Sequence, residues 1–397
     1  MLNWVLGVSA AACTTELDCQ LSGVCTSGAC VCDPGWKGDH CGQLDLLPNA
    51  PNHFAYRPLA PAEASETYWN SWGASAPIVD AKGVYHLFST RILNGCPVNY
   101  YTYNEQLVHL TSTSLLGPYV FANVALNTTI INPTAMRAPT GEYVLFYSGA
   151  PLPARYNKNA SECGAARAAS GSAERQLRPV TRQINVAEPP GPPGYTNIGC
   201  VLSIASTSDL AEPFVVQLAN FTPSGAENLF CRTNPTAFIF PNGTTLLYFR
   251  SAQASGGNEL IWVARADHWR GPYALVTPAA PIFPNSNEDP FIMRNERGRF
   301  ILMMHMSHWG PGSNGAKAFS FDGLAWHATA ESMSNVWSSV VEVTDGTTVT
   351  YSRREEPKIF LDAQGHMRAM FNAVTDPVER TRSYVMSQGI AGPPTKR

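Results

Sequence analysis

Two acidic stretches carry the clearest potential for chemistry: "NEDPF" at 287–291, with Glu288 and Asp289, and "SRREEPKIF" at 352–360, with Glu355. Carboxyl groups held on opposite sides of a glycosidic bond can hydrolyse it, one as proton donor and one as base or nucleophile. Arg353 and Arg354 sit beside Glu355 and could pair with such carboxylates or bind substrate; the bland alternative is a solvated charge run. His305 and His308 in "MMHMSHW" could cap a channel or bind an ion, although a strand histidine is more often a hydrogen-bonded core residue. Trp72, Trp309 and Trp326 offer flat faces for sugar rings. Most such tryptophans only pack strands, and Trp309, in the Gly-rich "HWGPGSNG", is the best placed of the three.

These residues can act together only if the fold collects them, and an internal repeat says how. "NPTAMRAPTGEYVLFYSG" (132–149), "NPTAFIFPNGTTLLYFRS" (234–251) and "EDPFIMRNERGRFILMMHM" (288–306) share one pattern. Weaker copies are "SAPIVDAKGVYHLFST" (75–90) and "EEPKIFLDAQGHMRAMFNAV" (355–374). Each reads as a short apolar strand, a Gly-containing turn and a second strand, which is a hairpin. A second motif follows several copies, as in "HLTSTSLLGPYVF" (109–121), "SIASTSDLAEPFVV" (203–216) and "WVARADHWRGPYALV" (262–276). It supplies a third strand, a turn and an outer strand. The repeats around Pro77, Pro133, Pro235, Pro290 and Pro357 therefore predict an all-β, five-bladed β-propeller, an arrangement that leaves no long exposed edge. An Ala-, Arg-, Gly- and Pro-rich stretch at about 150–195 reads as an irregular insertion.

In a propeller the first residues of the inner strands converge at one mouth of the channel. The residues before the prolines mark them here: Ala76, Asn132, Asn234 and Asp289, with Glu355 two before Pro357. On "NEDPF" and "SRREEPKIF" the chain resembles, over roughly 55–390, the propellers of glycoside hydrolase family 43 and the related families 32 and 68. It most resembles a secreted subgroup, through "NSWGAS" (70–75), "YHLF" (85–88), "NPTA" (132–135), "EDPF" and "RREEP". The resemblance implies Glu355 as general acid and Asp289 as the group that orients it and tunes its pKa. It also implies a third carboxylate on another blade. There the sequence departs, since Ala76, Asn132 and Asn234 cannot take a proton from water as a carboxylate can. Glu288 is a weak stand-in for the base, and Asp80 reads as a turn residue. Asn132, Asn234, Arg353, Arg354, His305 and Trp309 are the expected substrate-binding residues. No cofactor or catalytic metal is expected, with room only for a structural ion in the channel.

Six of the ten cysteines precede position 42: Cys13, Cys19, Cys25, Cys30, Cys32 and Cys41. About thirty residues bury too little apolar surface to fold unaided, so disulfides are expected, and these persist outside the reducing cytosol. Spacing alone leaves fifteen pairings open. With Gly35 and Gly38 between Cys32 and Cys41, the stretch resembles an EGF-like domain, which implies Cys13–Cys25, Cys19–Cys30 and Cys32–Cys41. "GVSAAAC" lacks the acidic residues of the calcium-binding kind. Cys96, Cys163, Cys200 and Cys231 are expected to form two more disulfides of unknown pairing.

The expected layout is a signal-peptide-like segment at 1–12 with a truncated start, the EGF-like domain at 13–42 and a linker at 43–54. The propeller at 55–390 and a tail at 391–397 follow. Four sequons, at Asn127, Asn159, Asn220 and Asn242, agree with secretion and glycosylation. A net charge of −3 without basic clusters gives no nucleic-acid surface, and no apolar run reaches membrane-spanning length. The function expected is that of a secreted glycoside-hydrolase-like protein acting on or recognising polysaccharide. The alternatives are a non-catalytic carbohydrate-binding or adhesion protein without a base, and a scaffold with an inert funnel. The EGF-like domain could add extracellular protein contacts.

Overall fold

The structure is a computed structural model that describes residues 12–392 except 61, 63–68, 99–103, 129, 151–199, 223–228, 254–258, 277–280, 284–286 and 307–314. The signal-like segment at 1–11, most of the insertion, Asn159, Cys163, His308, Trp309 and residues 393–397 of the tail lie outside these residues.

Five antiparallel sheets form the blades of a propeller, as the repeats predict. Their inner strands are Asn70–Ala74, Ile131–Arg137, Leu229–Ile239, Asn287–Arg294 and Arg354–Leu361. Apolar side chains from facing blades fill the space between sheets. Val144, Phe146 and Ile204 of blade 2, for example, join Leu247, Phe249 and Trp262 of blade 3 in one buried cluster. The second sequence motif does form third and fourth strands, as at Glu105–Ser112 with Val120–Leu126 in blade 1.

Every inner strand loses register at the same place. The shifts fall between Ser71 and Ala74, Ile131 and Thr134, Thr233 and Thr236, Glu288 and Phe291, and Glu355 and Lys358. At each shift one residue is left-handed: Gly73, Asn132, Asn234, Asp289 and Glu356, with φ between 50° and 72°. Such bulges re-aim a side chain out of the strand's alternation. This corrects the expected blade starts. In blade 1 the equivalent residue is Gly73, not Ala76, which packs in a core cluster. In blade 5 it is Glu356, directly before Pro357, not Glu355.

Blade 5 departs from its siblings. The C-terminal part of the chain gives it three strands, ending with Ser383–Gly389. The N-terminal segment runs along the open edge of the third. Leu46 bridges Ile390 and Tyr56 bridges Val385, with Leu47 N–H donating to the Gly389 carbonyl at 2.9 Å. Residues 43–54, expected as a linker, are thus laid against the propeller.

The EGF-like domain holds the expected disulfides Cys13–Cys25, Cys19–Cys30 and Cys32–Cys41. In the propeller Cys200 pairs with Cys231, and Cys96 is disulfide-bonded as well. Among the described residues no helix is long and apolar enough to cross a membrane.

Candidate functional site

Four of the five left-handed residues, Asn132, Asn234, Asp289 and Glu356, are joined by hydrogen bonds around the propeller axis, and Gly73 takes the fifth position. Asn132 Nδ2 donates to Glu356 Oε1, and Asn234 Nδ2 donates to Asp289 Oδ1. Asn234 Nδ2 also lies 3.3 Å from Glu356 Oε1, and the Glu356 N–H donates to Asp289 Oδ2 at 3.1 Å. Lys358 Nζ approaches Glu356 Oε2 at 3.5 Å. Gly73 contributes no side chain. A Cβ there would sit 3.6 Å from Asn132 Cα and 3.7 Å from Glu356 Cγ, in ordinary contact. Burial, and next the charge of Asp289, raises the Glu356 carboxyl well above the usual range. Burial, and next the charge of Glu288, also raises Asp289.

The residues one position earlier make a second tier: Trp72, Ile131, Thr233, Glu288 and Glu355. Its two acids are both engaged. Arg353 grips Glu355 with Nε to Oε1 at 2.7 Å and Nη2 to Oε2 at 2.6 Å, the bidentate geometry that guanidinium suits best. The same guanidinium lies over Trp72, 4.3 Å from the ring centroid. Glu288 pairs with Arg250, which also reaches Glu259 at 2.5 Å, and with His305 Nδ1 at 3.5 Å. Burial works against the Glu288 charge, yet Arg250 and then His305 outweigh it and hold the carboxyl at about 2. Burial likewise works against a charged His305. Glu288, Glu355 and Asp289 outweigh it and lift the imidazole to about 9. One ligand atom each from Asp289, His305 and Glu355 lies within 4.8 Å of the others, so these three could hold a cation.

The structure thus brings together Glu355, Asp289, Glu288, Asn132, Asn234, Arg353 and His305 from the sequence reading. Arg354 is a correction. Its strand alternation turns it into blade 5, where it is 1% exposed and bonds Asn372 Oδ1, the Ser338 carbonyl and Gln388 Oε1. Burial brings its pKa down to about 9. Asp80 is a hairpin turn, accepting the N–H groups of Lys82 and Val84. Sequence reasoning missed Gly73, Glu356, Arg250 and Glu259. Counting one residue back from Pro357, as in the other blades, would have found Glu356. Gly73 had no such signal, because its strand has no proline next to the bulge.

A model of the teneurin-like EGF domain matches residues 16–43. The N-terminal module is a teneurin-like EGF domain. No curated protein matches the sequence. Among solved structures the chain resembles Zg3597, a family 117 glycoside hydrolase of the marine bacterium Zobellia galactanivorans. Identity there is 11% and the TM-score 0.54, over 87% of this chain and 91% of that one. It also resembles the α-L-arabinofuranosidase PaAbf62A of Podospora anserina, at 11% identity and TM-score 0.52, over 87% and 99%. A thermostable family-43 glycoside hydrolase aligns at 13% identity and TM-score 0.48, over 84% and 96%. Likeness at such identities concerns the fold. The teneurin-like EGF domain is thus joined to a propeller of the architecture seen in glycoside hydrolases.

Proposed function

We propose that this protein recognises an oligo- or polysaccharide in the propeller funnel without hydrolysing it. The observation that carries this reading is the distribution of carboxylates. In the ring they come only from blades 4 and 5, as Asp289 and Glu356. Blades 1 to 3 offer Gly73, Asn132 and Asn234. Oxygens of Asp289 and Glu355 approach within 4.8 Å. A retaining pair stands about 5–5.5 Å apart and an inverting pair about 6.5–9.5 Å. Glu355 and Glu288, moreover, are clamped by Arg353 and Arg250, so neither is free to serve as base.

A sugar hydroxyl both donates and accepts, and the funnel has partners for both. The Glu355–Arg353 pair presents an acceptor beside a donor. Asn132 Oδ1 and His305 Nε2 are buried with no hydrogen-bond partner among the described residues. Arg353, stacked on Trp72, forms one wall. Extracellular placement is part of the proposal. The disulfide-held EGF domain and the exposed sequon residues Asn127, Asn220 and Asn242 support it.

A second reading, hydrolysis with Glu355 as acid and Asp289 tuning it, is favoured by one feature: Asp289, raised by burial, lies close to Glu355. One experiment separates the two. Arabinan, xylan, fructan and galactan oligosaccharides are offered to the purified protein and to Glu355→Gln, with calorimetry for binding and chromatography for products. Binding without product release is expected. Product release that vanishes in Glu355→Gln would establish the enzyme instead.

A further inference from the structure

We infer that the teneurin-like EGF domain is the clasp that keeps the propeller ring closed, rather than a spacer or a free adhesion module. The inference is independent of what the funnel binds.

A propeller built from one chain must join its last blade to its first. Here the closing strand of blade 5 comes from the residues that leave the EGF domain, 44–56. Besides the bridges at Leu46 and Tyr56, the Ala55 N–H donates to the Val385 carbonyl at 2.8 Å, and Gln388 Nε2 donates to the Leu47 carbonyl at 2.8 Å. Chain path alone would leave this strand free to peel away. The EGF domain pins its start.

The domain is wedged into the outer end of the seam between blades 4 and 5. Leu21, Trp36, Cys41 and Leu44 are buried in one apolar cluster with Phe291, Met303 and Phe319 of blade 4 and Met367 and Met370 of blade 5. The fit is close. A Cβ on Gly35 would come within 2.8 Å of Met367 Cε and 2.9 Å of Ile390 Cγ2.

The polar contacts point the same way. Lys317 of blade 4 is fully buried, and its ammonium donates to Ser22 Oγ at 2.7 Å and to the Cys41 carbonyl at 2.8 Å. It also lies over the Trp36 ring, 3.7 Å from the centroid. A buried amine is costly unless satisfied, and the EGF domain supplies these partners. Arg297 Nη2 donates to the Leu21 and Gly23 carbonyls at 3.0 Å and pairs with Asp33 at 2.9 Å; Arg299 pairs with Glu16 at 3.1 Å. Blades 4 and 5 carry every carboxylate of the two funnel tiers. The shape of the funnel therefore depends on the EGF domain.

The test is hydrogen exchange of the full chain, followed by mass spectrometry, for wild type and for Arg297→Ala combined with Lys317→Ala. Exchange at 44–56 and Ser383–Gly389 should quicken by about tenfold or more, with blades 2 and 3 unchanged, as expected when one cooperative unit loosens. Faster exchange confined to residues 13–43 would overturn the clasp. If the double variant does not fold, folded protein carrying Cys96→Ser, Cys163→Ser, Cys200→Ser and Cys231→Ser, so that only the EGF disulfides remain, is titrated with reductant while the same peptides are followed. Loss of protection in Ser383–Gly389 together with residues 13–43 is expected. Retention of that protection after the EGF disulfides are reduced would overturn the inference.

Discussion

Asn132 and Glu356, 224 residues apart in the chain, share a hydrogen bond across the propeller axis. It joins blade 2 to blade 5 at the floor of the funnel, and both residues are at most 5% exposed. Removing one partner of a buried pair leaves the other with its full desolvation cost. Asn132→Ala is therefore expected to lower stability by about 1–3 kcal/mol in urea unfolding. A change indistinguishable from zero would mean that the ring does not hold the blades together.

The empty ring position tests the recognition reading from the opposite side. Gly73 has φ 72°, a conformation in which aspartate is better tolerated than most residues. Its four counterparts already place Asn, Asn, Asp and Glu in that conformation. Gly73→Asp should fold and should turn a bound oligosaccharide slowly into products, detected by chromatography over long incubation. A Gly73→Asp protein that binds and never cleaves would show that a missing carboxylate is not the whole barrier to hydrolysis.

The two neighbouring arginines should separate cleanly. Arg353 faces the funnel, so Arg353→Ala is expected to weaken oligosaccharide binding by about tenfold or more, about 1.4 kcal/mol. Arg354 serves the interior of blade 5, and Arg354→Ala should cost about 1–3 kcal/mol of stability because it strands the buried acceptors Asn372 Oδ1, the Ser338 carbonyl and Gln388 Oε1. The fraction still folded should bind as wild type does. Calorimetry beside a denaturation curve reads both numbers, and equal binding losses would remove the distinction.

Two neighbouring arginines end in different places, Arg353 on Glu355 and Arg354 inside blade 5. Successive residues of a strand point to opposite sides. Adjacency to an acid in the sequence therefore says little about adjacency in space. Arg353 reaches Glu355 because the two are separated by one residue; Arg354 cannot. The five blades were legible because each hairpin repeats its own turn and apolar pattern. The bulges were half legible. The prolines flagged four of them, and the glycine in blade 1 gave no such mark. The clamps on Glu288 and Glu355 were not legible at all. Arg250 meets Glu288 only after the blades are assembled, and no local pattern records that meeting.

The Glu288–His305 pair sets a pH dependence. The folded-state pKa of His305 is raised to about 9, so its contribution is complete below its ordinary value and is lost as pH rises through about 9. Glu288 is depressed to about 2, so its contribution is present above its ordinary value and is lost as pH falls through about 2. Asp289 and Glu356, both raised, also favour the folded state less as pH rises through their folded values. Melting temperature should therefore fall between pH 7 and 10, and His305→Gln should flatten the upper part of that decline. An unchanged alkaline slope in His305→Gln would show that the imidazole is not charged in the folded protein.

The strand that completes blade 5 has a consequence for how the protein is made. Residues 44–56 leave the ribosome about 330 residues before Ser383–Gly389, to which they pair. At about 5–20 residues per second the wait is roughly 15–70 s. Throughout it the nascent chain carries an unpaired strand and the apolar face of Trp36 and Leu21, while its first disulfides can already have formed. Biosynthesis therefore exposes this protein to chaperones, and to premature pairing with a neighbouring nascent copy, until Ser383–Gly389 arrive.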